Sequence, residues 1–186
     1  LHLLSRRQRQ MCIRDSNKRV DKVRIRVQKK YMKIKDDLKK KEKNKTITVE
    51  EKLELEEASR HYYVLKKFNW LLFSNNNKIF DENIEKKYNR VLARYCNYSD
   101  LYTYMLEIDD ELEKACGLKE DIVQFYTNCN YDNAKKALEQ IITDFRSCPV
   151  EEMSPFANTL TNWKTEIINS FIIVDDKSKR RMNTAI

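Results

Sequence analysis

One glycine and two prolines in 186 residues leave this chain with little of the usual means of turning, which argues for helices over sheets. A glycine-rich phosphate loop is excluded, because Gly117 alone cannot build one. Histidine is almost missing too. Apart from His2, His61 is the only one, so neither a Ser/His/Asp arrangement nor a His-rich metal centre can be assembled. None of the five cysteines stands in a C-x-x-C pair or beside a histidine cluster, which excludes a zinc site of ordinary spacing. Cys96, Cys116, Cys129 and Cys148 read instead as small apolar core groups in a reducing cytosol. No apolar run is long enough to span a bilayer. The expectation is a cytoplasmic protein without a membrane partner.

What the chain has is charge, together with Lys, Glu, Asn, Leu and Ile in excess. Lys, Glu and Leu are good helix formers, so the expected class is mainly α, and the length prior allows one domain. The opening stretch stands apart. Gln10–Ser16, read Q-M-C-I-R-D-S, back-translates to a run resembling a sequencing-library adaptor, so Leu1–Ser16 is expected to be a translated assembly scar outside fold reasoning. That stretch holds Arg6, Arg7, Arg9 and Arg14 against Asp15, so the formal charge of +8 falls to about +5 without it. From Asn17 to Lys45 there are 14 Lys and Arg against 4 acids, so the basic excess belongs to one segment. Such an excess fits phosphate contact through counterion release, and equally fits a solvated helix face.

Val20, Val23, Val27, Tyr31, Ile34 and Leu38 recur at intervals of three and four, which predicts a helix over 17–43. Its opposite side carries Lys18, Lys22, Arg26, Lys29 and Lys33. Thr48-Val49-Glu50-Glu51 has the capping-box form, and the helix it starts uses Leu55, Ala58, Tyr62 and Leu65. Phe68–Phe73 is uniformly apolar and reads as either a buried strand or more helix. Asp81 is the expected cap of a helix through Ile84, Tyr88, Val91, Leu92 and Tyr95. Ser99 or Asp100 caps a short helix with Leu101 and Met105. Asp109 caps a longer one through Ala115, Leu118, Ile122 and Phe125. Asp132 precedes a stripe of Ala134, Leu138, Ile141 and Phe145, which Cys148-Pro149 stops. Ser154-Pro155 opens a last helix through Phe156, Leu160, Trp163, Ile167 and Phe171, making about seven in all.

Paired acids at Asp36-Asp37, Asp109-Asp110, Glu151-Glu152 and Asp175-Asp176 could in principle hold a hard cation. The first three lie at or near expected helix ends, where acids cap backbone donors or form surface pairs, and they read as structural. Asp175-Asp176, in the loop after the last helix, is the least readily assigned to structure. Trp70 and Trp163 sit on apolar stretches and read as core aromatics, with base stacking as the functional option. Tyr62, Tyr63, Tyr95, Tyr98, Tyr102 and Tyr104 interleave with Arg and Lys, as in single-strand binders.

Four blocks in order carry a family resemblance: D-K-V-R-I-R-V-Q-K-K-Y (Asp21–Tyr31), Y-Y-V-L-K-K-F-N-W-L-L-F (Tyr62–Phe73), L-K-E-D-I-V-Q-F-Y (Leu118–Tyr126) and F-A-N-T-L-T-N-W-K-T-E-I-I-N-S-F (Phe156–Phe171). Over Asn17–Ile186 the chain resembles bacterial insertion-sequence transposases of the ISL-three type, in the DDE class. The resemblance implies an RNase H-like α/β catalytic domain in which two Asp and one Glu hold divalent metal, Mg being expected for the complete enzyme, to cleave and join DNA strands. A helical region is inserted before the Glu. On this frame 17–73 is the basic helix, a second helix and the last core strand around Trp70, 74–173 is the helical insertion, and 174–186 leads toward the Glu. Asn183-Thr184-Ala185-Ile186 looks like the start of the family's N-x-x-x-E-G-x-N motif. Asp15, within the adaptor-like run, is not the family's second Asp. No catalytic or metal-binding residue, and no cofactor, is therefore carried onto this sequence. The implied DNA contacts are Arg24, Arg26, Lys29, Lys30 and Lys33 of the basic helix. Trp163 joins them because it is similar in position to a tryptophan that related transposases place near the cleavage site. The expected partner is DNA at transposon ends, with self-association of the complete enzyme. Two readings from other classes stand beside it: a non-catalytic helical nucleic-acid-binding module, and a helical interaction protein.

Overall fold

The computed structural model describes residues 2–175 and 180–181, with side chains described from 9 to 172. The helices are α1 (His2–Lys43), α2 (Val49–Lys67), α3 (Asn76–Ile79), α4 (Tyr98–Glu107), α5 (Asp110–Asn128), α6 (Tyr131–Ser147), α7 (Phe156–Asn162) and α8 (Lys164–Asn169). A 3-10 helix occupies Asn69–Phe73. Strands β1 (Lys87–Asn89) and β2 (Arg94–Cys96) form one antiparallel ribbon, and β3 (Ile173–Asp175) and β4 (Arg180–Arg181) form another. The mainly α expectation holds. Among the described residues the sheets are these two-stranded ribbons, so an RNase H-like sheet is not part of what they form.

The chain divides into a central unit, Val23–Glu113, and a terminal unit of Leu1–Lys22 with Lys114–Ile186. Helices α1 and α5 contribute residues to both. In the central unit α2 packs on α4 and on the 3-10 helix, while α4 also meets α3 and β2. Leu65, Leu71, Leu72, Ile79 and Met105 are fully enclosed there. In the terminal unit α6 packs on α7 and α8. The Phe145 and Phe156 rings meet edge to face at 5.1 Å, and Phe125 meets Phe171 at 5.0 Å. Each buried aromatic or aliphatic side chain contributes about 1.5–3 kcal/mol to its own unit.

Most helix starts are written locally. Thr48 and Glu51 form the reciprocal capping box read from sequence. The Asp109 carboxylate accepts from the Glu111 and Leu112 amides at the start of α5. For α4 the cap is Asn97, with Asp100 as its third-position partner, not Ser99 or Asp100 itself, and for α6 it is Asn130 with Asn133 as partner. Asn does this as well as Asp or Ser because its side-chain oxygen reaches the same orphan amides.

Three segments differ from expectation. In Phe68–Phe73, which the residues leave open between strand and helix and the resemblance makes a core strand, Asn69–Phe73 is a 3-10 helix that buries Leu71 and Leu72 against elements of its own unit. The helix expected after Asp81 is the β1–β2 ribbon. Asp81 accepts from the Asn83 amide in a turn, and Asn89 accepts from Val91 and Leu92, so local side-chain bonds compete with helix over this stretch. The last helix is two, α7 and α8, separated at Trp163, whose amide bonds to Thr159 and Thr161 carbonyls. Asp176 and Asn183–Ile186 lie outside the described residues, as does the Asp175 side chain.

Candidate nucleic-acid interface

Helix α1 sorts its cations into three environments. Val20, Val23 and Val27 are buried, so residues one position along the same face turn inward with them. Arg24 is such a residue. It is 6% exposed, and its guanidinium donates to the Leu65 carbonyl at 3.2 Å and to the Gln28 amide oxygen. The last carbonyls of α2 lack partners within the helix, and Arg24 satisfies one of them. A guanidinium committed to the protein's own backbone is turned away from any phosphate, which sets Arg24 apart from the contacts expected on sequence.

Arg26 and Lys30 are four residues apart and meet the acids at the start of α5. Arg26 pairs with Glu111 at 2.5 Å and Lys30 with Asp109 at 3.6 Å. Arg26–Glu111 is an exposed pair, of a kind that contributes about 0–1 kcal/mol, whereas Lys30 meets a largely buried carboxylate already engaged in capping α5. Lys29 and Lys33 form the third group. Both are exposed, one helical turn apart, and form no ion pair among the described residues. Further along, Lys35 lies 3.9 Å over the Tyr62 ring, and Lys40 and Lys41 pair with Asp37 and Glu51. The Lys41 ammonium beside Glu51 holds that carboxyl below its ordinary range, with the Thr48 amide adding to the effect.

Trp163 belongs to the terminal unit and is 41% exposed, a large aromatic surface at the α7–α8 break. Trp70 meets Tyr98 edge to face at 5.1 Å in the central unit, with the Lys78 ammonium 5.5 Å over its ring. Nearby in that unit His61 lies between Tyr31, at 4.7 Å, and Tyr104, at 5.7 Å. Its Nδ1 is buried without a hydrogen-bond partner among the described residues, and burial holds the imidazole below its ordinary pKa.

Of the paired acids, Asp36 and Asp37 face Lys35 and Lys40, and Asp109 caps α5. Near Glu151-Glu152 it is the main-chain carbonyl of Glu152, not a carboxylate, that accepts from Arg19, at 2.9 Å. Among the described residues no three His, Cys, Asp or Glu side chains converge to hold a metal ion. Around β1 and β2, Tyr63, Tyr95 and Tyr98 are legible in the sequence as aromatics interleaved with Arg and Lys, whereas Tyr88 reads there as part of a helix.

Residues 12–175 match a family model described as a transposase. The chain belongs to the ISL3 family of DDE transposases. The matched residues include the α1 cations and Trp163, and begin at Cys12, inside the adaptor-like stretch. Cys12 and Ser16 are buried, the Cys12 thiol being raised above its ordinary pKa mainly by that burial and bonded to Tyr126. No curated protein and no solved structure matches the chain. No helix among the described residues is long and apolar enough to cross a membrane.

Proposed function

We propose that this chain supplies the DNA-holding helical part of a transposase and does not itself cut DNA. The family match over 12–175 carries the reading. It is supported by the exposed Lys29 and Lys33 on α1, with Arg26 in an exposed pair that a phosphate can replace and Lys30 beside it. Trp163 is a second contact, through stacking on DNA. Strand cleavage and joining in the complete enzyme would use Mg held by carboxylates other than those of the described residues, and the enzyme would pair transposon ends by self-association.

The test is duplex binding by the 186-residue chain measured against salt. Contact with phosphates gives a linear fall of log affinity with log salt, and replacing both Lys29 and Lys33 with Gln lowers that slope by about 2. Incubation with Mg or Mn is expected to leave the bound DNA uncut. Affinity independent of salt would overturn the DNA-holding role, and nicking by the purified chain would overturn the division of labour. An alternative reading as a helical protein-interaction module predicts no DNA affinity at all.

A further inference from the structure

The central unit contains a cleft of about 770 Å³ between the end of α2, the β1–β2 ribbon and the start of α4. Four aromatic side chains line it: Tyr63, Phe68, Tyr88 and Tyr98. Tyr63 and Phe68 stand edge to face at 5.9 Å, and Trp70 buttresses Tyr98 from behind. Tyr88 is 54% exposed, so much of its ring is open to solvent. Lys67, Lys87 and Arg90 bring three positive charges to the lining against Glu85 alone. Lys67 donates to the Tyr63 hydroxyl at 3.0 Å, which places an ammonium beside an aromatic ring.

We propose that this cleft receives an unpaired nucleobase of a DNA strand, with Tyr88 stacking on the base and Lys67, Lys87 and Arg90 holding the adjoining phosphates. This rests on the DNA-holding role and adds a site for single-stranded DNA to it. The occupant follows from two properties together. A wholly apolar ligand would leave the positive charge of Lys67, Lys87 and Arg90 unmatched by any anion, and a simple anion would leave the exposed aromatic surface unused. A nucleotide in a strand satisfies both, since every base has a π-face and every linkage a charge. In a duplex the faces are covered by neighbouring pairs, so the base must be unpaired.

The experiment compares two DNAs carrying the fluorescent base 2-aminopurine, one single-stranded and one fully paired, against the whole chain. Single-strand binding is expected to quench or shift the probe. Tyr88→Ala is expected to weaken single-strand binding about tenfold and to change duplex binding less than about twofold. Tyr63→Leu, on a helix and retaining apolar bulk, is a second variant with the same expected selectivity, and circular dichroism checks that each variant is folded. Duplex binding with normal salt dependence, but equal losses on both DNAs or no loss in either folded variant, overturns the cleft and leaves the DNA-holding role standing. Loss of all DNA binding by the unmodified chain overturns both. A mononucleotide that competes as well as the strand would overturn strand recognition in favour of a free nucleotide.

Discussion

Arg24 separates a structural cation from the cations of the same helix proposed to hold DNA. Replacing it with Met keeps most of the apolar stem and removes the donors, leaving the Leu65 carbonyl without the bond that closes the end of α2. Hydrogen bonds involving a charged group contribute about 1.5–3 kcal/mol, so a loss of about 2 kcal/mol is expected in the central unit. For a chain of this length that is a fall in Tm of about 4–8 °C, measured by circular dichroism or by urea titration with an unchanged slope. DNA affinity tells the other half. With the variant folded, the salt slope for duplex binding should match that of the unmodified chain, whereas loss of Lys29 and Lys33 lowers it. A phosphate-contacting arginine would behave in the opposite way, with little effect on Tm and a slope smaller by about 1. That second pattern would refute the inward assignment of Arg24.

Two further outcomes follow from single residues. His61 is held neutral by burial, so the native state resists a proton that the unfolded chain accepts as pH falls through 6.5. Its contribution is complete well above that value and is lost progressively as pH falls through and below it, and His61→Phe should flatten the stability profile on that acid side. An unchanged profile in the variant would show that other groups set it. Gly117 lies exposed within α5, and a methyl group there would meet nothing within 4 Å. Gly117→Ala should therefore stabilise the terminal unit by about 0.5–1 kcal/mol in urea titration, and destabilisation would mean the site is more crowded than it is described.

The helical periods of α1, α2, α5 and α6 were legible because one buried face repeats over several turns. The capping box at Thr48 was legible because both of its partners lie within four residues. The segment from Asp81 to Cys96 was not. Ile84, Tyr88, Val91 and Tyr95 stand at helical spacing by chance of a turn, while Asn89 and the left-handed Ala93 reverse the chain between them. Of the basic contacts, sequence placed Lys29 and Lys33 on an open face. It could not distinguish Arg24, whose inward turn depends on a carbonyl 41 residues away, nor foresee that Arg26 and Lys30 would meet the acids that open α5. Pairings that distant leave no trace in local pattern.

Ala93 adopts φ of +52° at the foot of the β1–β2 turn, where most proteins would place glycine. A left-handed conformation with a Cβ costs about 1–2 kcal/mol. Each strand beside it has three residues, and a ribbon so short is barely stable by itself in water. The scarcity of glycine thus places a local energetic cost in the ribbon that carries Tyr88. Opening this ribbon requires less free energy than unfolding the helices around it, so its amides should exchange by local opening. Compliance of this origin lies beside Tyr88, and a strand bound there as proposed would rigidify the ribbon.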